Sequence, residues 1–184
     1  MPFYQVHHSY PLNNEQKQRL ASSITNLHCT TFTTPSFFVH VEFVAHDINE
    51  GTYFSGGQRR TAGSNRIFGT VRVSPSRNKS DFDTLAAKIE KAWYDTVGSE
   101  GEKVADEQRL LMVMFTPIVA IREGGMTIPE AGHEGEWLKR QLPHIRRMSE
   151  LGMDDFKDML TELDERDDLK SLLQDAPGGA PLTT

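Results

Sequence analysis

The chain opens Met-Pro, and methionine is normally cleaved before a residue as small as proline, leaving a secondary amine on Pro2. A terminal α-amine titrates near ~7.7–8 in a model peptide, and a prolyl amine is more basic still. Burial and neighbouring cations disfavour the charged form, and a neutral amine at pH 7 can take a proton from the carbon beside a carbonyl. A neighbouring carboxylate works the other way and favours an ammonium that donates a proton. Pro2 is therefore the leading candidate for acid/base chemistry, with its direction set by whatever surrounds it. Other groupings are weaker. His28 and Cys29 are adjacent on a predicted helix and diverge by about 100°, so they do not make a nucleophile–base pair. His7, His8, His40 and His46 lack the HxH or HExxH spacing of metal ligands, and His133-Glu134 lacks a second histidine, so no metal is expected. The SGGQRR stretch, Ser55–Arg60, is not a P-loop and reads as a surface loop or pocket lid.

The elements that must position Pro2 follow from periodicity. Phe3–Ser9 is extended. Glu15–Thr30 repeats Leu20, Ile24 and Leu27 at helical spacing, with a capping-box-like start at Asn13 and Gln16. Ser36–Ala45 reads as a strand, and Asn49–Ser64, with four glycines, as a loop or short hairpin. The pattern then repeats: a strand at Ile67–Val73, and a helix from Ser80 or Asp81 to Val97 with Phe82, Leu85, Ile89, Trp93 and Val97 on one stripe. After the polar connection Gly98–Asp106 comes the apolar run Arg109–Phe115, expected at the sheet centre and buried on both faces. Two right-handed β-α-β units side by side give an α/β fold with a four-stranded sheet and both helices on one face. The other face needs cover, so an oligomer is expected.

Composition narrows the classes further. Of the 184 residues, 37% are hydrophobic and 25% charged, as in a soluble globular protein. No apolar run approaches the roughly 18–20 residues of a membrane span, and the N-terminus lacks the pattern of a secretory signal. The single cysteine, Cys29, excludes an internal disulfide and fits a reducing, cytoplasmic setting. The net charge is −6, with ten acidic against three basic residues from Ser149 onward, so the preceding part is nearly neutral. Such a balance argues against a nucleic-acid partner. Three parts are expected: a domain over residues 2–137, an acidic helical extension over 138–175 with an amphipathic stripe at Phe156, Met159, Leu160 and Leu163, and a disordered tail over 176–184.

A Met-Pro start followed by a strand within a doubled β-α-β chain resembles the tautomerase superfamily. The segments SITNLH (Ser23–His28), LAAKI (Leu85–Ile89) and above all GHEGEW (Gly132–Trp137) resemble its cis-3-chloroacrylic acid dehalogenase branch over residues 2–137. That resemblance implies a homotrimer and cofactor-free chemistry on small carboxylates. Pro2 would be the catalytic acid/base amine. Glu123 would activate water, His28 would hold a substrate carboxylate or carbonyl oxygen, and Arg77 would bind the substrate carboxylate. Two positions depart from the family pattern: Ser74 stands where a second arginine is expected, and Met112 where a tyrosine assists the glutamate. Arg72, two residues before Ser74 and so on the same face of a strand, is expected to supply the missing guanidinium. With two helpers lost, keto–enol tautomerisation of an enol, α-keto or unsaturated carboxylate is expected ahead of hydration or hydrolytic dehalogenation. A catalytically degenerate oligomeric scaffold is the alternative of another class. On the residues alone Tyr4 and Phe38 read as core or pocket wall.

Overall fold

Asn13 opens the first helix with a full capping box: its side chain accepts from the backbone N–H of Gln16, and the Gln16 side chain accepts from that of Asn13. The second helix repeats the device with Asn78 and Asp81, so its cap is Asn78 rather than Ser80 or Asp81. Around these two helices the computed structural model describes residues 1–60, 63–98 and 104–175. The expected tail, 176–184, lies outside the described residues, as does part of the connection expected after Gly98. The strands are β1 (Phe3–His8), β2 (His40–Ala45), β3 (Phe54–Ser55), β4 (Gln58–Arg59), β5 (Asn65–Val71), β6 (Leu110–Pro117), β7 (Arg122–Glu123) and β8 (Met126–Thr127). The helices are α1 (Asn14–Phe32), α2 (Lys79–Val97), α3 (Glu134–Glu150), α4 (Asp154–Glu165) and α5 (Asp167–Asp175).

The main sheet has the order β2-β1-β5-β6, with β1 parallel to β2, β5 parallel to β6, and the two pairs joined antiparallel. This is the doubled β-α-β arrangement expected. One face carries Tyr4, Val6, Ile67 and Val71 against Leu20, Ile24, Leu85, Ile89 and Trp93 of the two helices, all essentially buried. The rule of two strand residues per repeat then sends Phe3, Gln5 and His7 to the opposite, open face.

Three expectations need correction. Ser36–Phe38 is a turn of 3₁₀ helix following Pro35, and extended backbone begins only at His40. The strand expected to end at Val73 stops at Val71. The apolar run 109–115 is an edge strand, not a central one: Met112 and Met114 are 41% and 44% exposed on the open face. An unbroken apolar run is compatible with any strand covered on both faces, and here one cover is absent from the single chain.

A second apolar core forms where α3, α4 and α5 pack against the start of the chain. It joins Met1 and Phe38 to Met126, Trp137, Leu138, Ile145, Phe156, Met159, Leu163 and Leu169, all buried. The stripe expected on α4 is thus seated, with Phe156 against Phe37 at 5.1 Å between ring centroids. Glu162 of α4 accepts from the backbone N–H of Ser36 at 2.8 Å and from its hydroxyl at 2.6 Å, which ties this cap to the turn before β2. α3 starts inside the GHEGEW motif and continues to Glu150, joining the domain to its extension. No helix among the described residues is long and apolar enough to cross a membrane.

Candidate active site

The first residues of β1 lie between the two cores. Pro2 is buried, and its carbonyl accepts from the backbone N–H of His40 at 3.2 Å, the last rung of the β1–β2 ladder. Met1 is buried beyond it at 4% exposure. With Met1 in place, burial first, then the positive charges of Arg72 and Arg77, lower the terminal amine to about 5, against an opposing pull from Glu123 and Glu134. The chain's first nitrogen therefore sits where a positive charge is disfavoured.

His28, on the last turns of α1, is also buried, and its Nδ1 lies 2.9 Å from the Tyr4 hydroxyl. Burial, then the terminal amine, Arg77 and Arg72 bring it down to about 3, so the ring is neutral at ordinary pH. A neutral imidazole bonded at Nδ1 has its other nitrogen left for a ligand oxygen or proton. Burial likewise raises the Cys29 thiol to about 11 and the Tyr4 phenol above its ordinary value.

Arg72 and Arg77 do converge, as expected, but not for the reason given by strand alternation. β5 has already ended, and residues 74–77 form a tight turn in which the N–H of Arg77 donates to the carbonyl of Ser74 at 3.0 Å. Both guanidiniums meet a carboxylate that sequence reading left out, Glu134. Its Oε1 accepts from Arg77 Nη2 at 2.5 Å and from Arg72 Nη2 at 2.9 Å, and its Oε2 accepts from the Gly132 N–H at 2.7 Å. All three side chains are 13% exposed or less. Burial pushes the Glu134 carboxyl up, but Arg77, Arg72 and the backbone donors hold it net below the usual carboxylate range. Arg72 further donates to the Pro129 carbonyl at 2.9 Å, and its Nε is buried without a partner among the described residues. Arg77 lies 5.2 Å over the Phe32 ring.

Glu123 stands at the end of β7, aimed by a hairpin whose turn residues Gly124 and Gly125 both take positive φ, at 55° and 80°. It pairs with Nε2 of His40 at 2.8 Å and faces a cleft of about 410 Å³ bordered by α4. It is within electrostatic reach of the terminal amine, and its bonded partner is His40 rather than the arginines that hold Glu134. The Ser74 hydroxyl lies 3.0 Å from that of Ser76. Met112 pairs with Arg66, four residues along the strand from Thr116, which shares the Phe3 row, so it does not reach Pro2 within one chain.

The residues that sequence reading missed are Glu134, His40 and Met1. Glu134 had a signal: it lies inside GHEGEW, in the first turn of a helix, and two arginines five residues apart near a buried amine require a carboxylate. His40 had none, because its nearness to Glu123 depends on a hairpin 83 residues away.

A doubled β-α-β sheet thus holds a buried terminal amine within electrostatic reach of arginine, histidine and glutamate side chains. The chain belongs to the family described as putative oxalocrotonate tautomerase enzyme, whose model matches residues 1–141, and so to the tautomerase superfamily. A crystal structure of a member of the cis-3-chloroacrylic acid dehalogenase family shares the fold at 20% identity, with a TM-score of 0.61 over 79% of this chain and 96% of that one. Native fused 4-OT is similar at 15% identity, with a TM-score of 0.52 over 68% of this chain and 94% of that one. An asymmetric trimer of fused 4-OT gives 14% identity and a TM-score of 0.50 over 68% and 94%. No curated protein sequence matches the chain.

Proposed function

We propose that this protein is a cofactor-independent acid/base enzyme in which the amine of Pro2, freed of Met1, works as a base on small enol, α-keto or unsaturated carboxylates, tautomerising keto and enol forms. The observation that carries this reading is the depressed terminal amine. Burial, Arg72 and Arg77 outweigh Glu123 and Glu134 and bring the Met1 amine, one residue before Pro2, to about 5, and the same surroundings disfavour charge on the neighbouring Pro2 nitrogen. A neutral amine takes a proton; an ammonium would have to give one. In this reading the guanidiniums of Arg72 and Arg77 hold the substrate carboxylate through the donor capacity that Glu134 leaves them, and neutral His28 steadies the carbonyl or enol oxygen.

The test is turnover of an aryl-pyruvate enol by protein whose N-terminus is verified by intact mass. Wild type should turn over, and Pro2→Ala should lose about 100-fold or more in kcat/KM without losing its fold. Activity should fall as pH drops through the amine pKa; a fall as pH rises through it would instead mark a proton donor. An unprocessed, inactive chain would favour the scaffold reading.

The His40–Glu123 pair favours a second reading, hydration or hydrolytic dehalogenation of a 3-haloacrylate-like acid. A carboxylate held by an imidazole beside the amine can orient water, and halide release lost in Glu123→Gln would support it. For assembly we propose a homotrimer closed over the open sheet face. Exposed Phe3, Met112 and Met114 support that assembly, and one of the similar fused 4-OT structures is itself described as an asymmetric trimer. Light scattering giving a monomer mass would count against it.

A further inference from the structure

Met1 does not trail into solvent; its side chain fills a walled compartment. The walls come from Phe38 before β2, Ile128 after β8, Trp137 and Leu138 of α3, and Leu172 of α5. Phe38 and Trp137 close one side with ring centroids 5.7 Å apart. The space left beside Met1 is about 10 Å³, barely that of one water, so an unbranched four-atom side chain fits with almost nothing to spare. Met1 itself belongs to the buried second core at 4% exposure. One end of the compartment is polar, at Arg72 and Glu134.

Processing at Pro2 would empty this space, whose walls belong to α3 and α5 and to the segment before β2 that the Glu162–Ser36 bonds tie to α4. A dry apolar cavity next to a reactive amine is a ligand subsite, because water gains no partners there and an apolar group does. Charge decides which ligand. Arg72 and Arg77 carry two positive charges and Glu134 removes one, leaving capacity for a single carboxylate. Arg72 is the one cation among the described lining residues, so a second carboxylate reaching into the compartment would be desolvated against apolar walls without a partner.

We infer that the space vacated by Met1 is a specificity subsite, and that the substrate is a 2-oxo or enol monocarboxylate bearing an unbranched apolar arm of about a methionine side chain's length rather than a second carboxylate. This rests on the reading of Pro2 as the processed, catalytic terminus. Leu172, supplied by the helical extension, then acts as a specificity residue, and the extension is part of the enzyme's substrate selection.

The experiment uses full-length processed protein and three acids with one head group: 4-methylthio-2-oxobutanoate, 2-oxoglutarate and 2-oxobutanoate. Exchange of the C3 protons for deuterium is followed by NMR. The methylthio acid is expected to exceed both others in kcat/KM by about tenfold or more, the effect of burying the additional sulfur and methyl. Leu172→Lys places an ammonium in the compartment and is expected to cut the methylthio-to-2-oxoglutarate ratio about tenfold or more. Should that variant not fold, calorimetry on the unaltered protein with 4-methylthiobutanoate and glutarate reads the same preference without turnover. Equal kcat/KM for the three acids, all lost in Pro2→Ala, would overturn the subsite and leave the amine standing. A tenfold binding preference for 4-methylthiobutanoate with no Pro2-dependent exchange would keep the subsite and overturn the amine. Met1 found retained by intact mass overturns the subsite, since the compartment is then already full.

Discussion

The core between the sheet and helices α1 and α2 and the core under α3–α5 are both apolar, but they are assembled by different means. In the first, nearly all the large buried side chains repeat at a helical or strand period: Leu20 and Ile24 on α1, Leu85, Ile89 and Trp93 on α2, Tyr4 and Val6 on β1. In the second, the chain's first residue meets residues more than 120 positions later, and a buried carboxylate with two guanidiniums lies at the margin. The first core needs no chemistry because it holds the strands. The second surrounds the terminal amine, so its packing also sets charge, shape and access. A change in one should cost stability, whereas a change in the other should cost both stability and selectivity.

The largest effect expected tests the first half of that contrast. Trp93 is fully buried and donates from its indole nitrogen to the Gln108 carbonyl at 2.7 Å. Trp93→Ala should cost about 4 kcal/mol in a urea titration, through lost contacts and a cavity. The fraction that remains folded should keep its substrate ranking. A changed ranking would mean the two cores are not separable.

Next comes Glu134→Ala, which leaves Arg72 and Arg77 side by side, 10% exposed or less, without their shared carboxylate. Breaking such a buried network should cost about 3 kcal/mol. It should also lower the amine's pKa further, because Glu134 is one of the groups that raise it. Against the Trp93 variant, the mark of the second core is therefore a displaced pH–rate profile, measured on the folded fraction. An unmoved profile would show that Glu134 is structural only.

What the sequence disclosed follows the same division. Pairing of the two β-α-β units, the capping box at Asn13 and the stripe from Phe82 to Val97 were legible because each depends on residues a few positions apart, whereas the cap of the second helix falls at Asn78, two residues before the first position expected. Edge placement of β6 was not, since Met112 and Met114 read as core until the missing cover is seen. Of the candidate site, Pro2, His28, Arg72, Arg77 and Glu123 were named in advance, and the folded chain brings them around one terminus. Their partners were not foreseen. Glu134 joins the arginines across 57 and 62 residues, and His40 joins Glu123 across 83, distances over which no local period speaks.

A smaller effect separates the cores by pH. His28 borders both, bonded to Tyr4 of the first and lowered partly by the charges of the second. Unfolded, it takes a proton below about 6.5; folded, it does so only near 3. Between these values the unfolded state holds more protons, so stability falls as pH falls from 6.5 toward 3. The loss should be on the order of 2 kcal/mol by pH 5. His28→Gln should flatten that slope relative to wild type in denaturant titrations run across the window. An equal slope in both proteins would assign the acid sensitivity to other groups.

The smallest effect expected is at Glu123, and it is informative because it is small. Its carboxylate is bound to His40 at 2.8 Å, while Glu134 holds the arginines. If the amine acts as a base, Glu123 opposes that role, since its charge raises the amine's pKa. Glu123→Gln keeps the side chain's shape and removes that charge, so C3 proton exchange should change by no more than about threefold at pH 7. Its acid limb should move to lower pH, because one of the groups favouring the ammonium is gone. The same substitution would abolish a hydration reaction, in which the carboxylate itself must direct water. A loss of proton exchange on the scale of Pro2→Ala would therefore do more than revise one residue: it would mean that the terminus works as a donor, and that the second core was built to position water rather than an apolar arm.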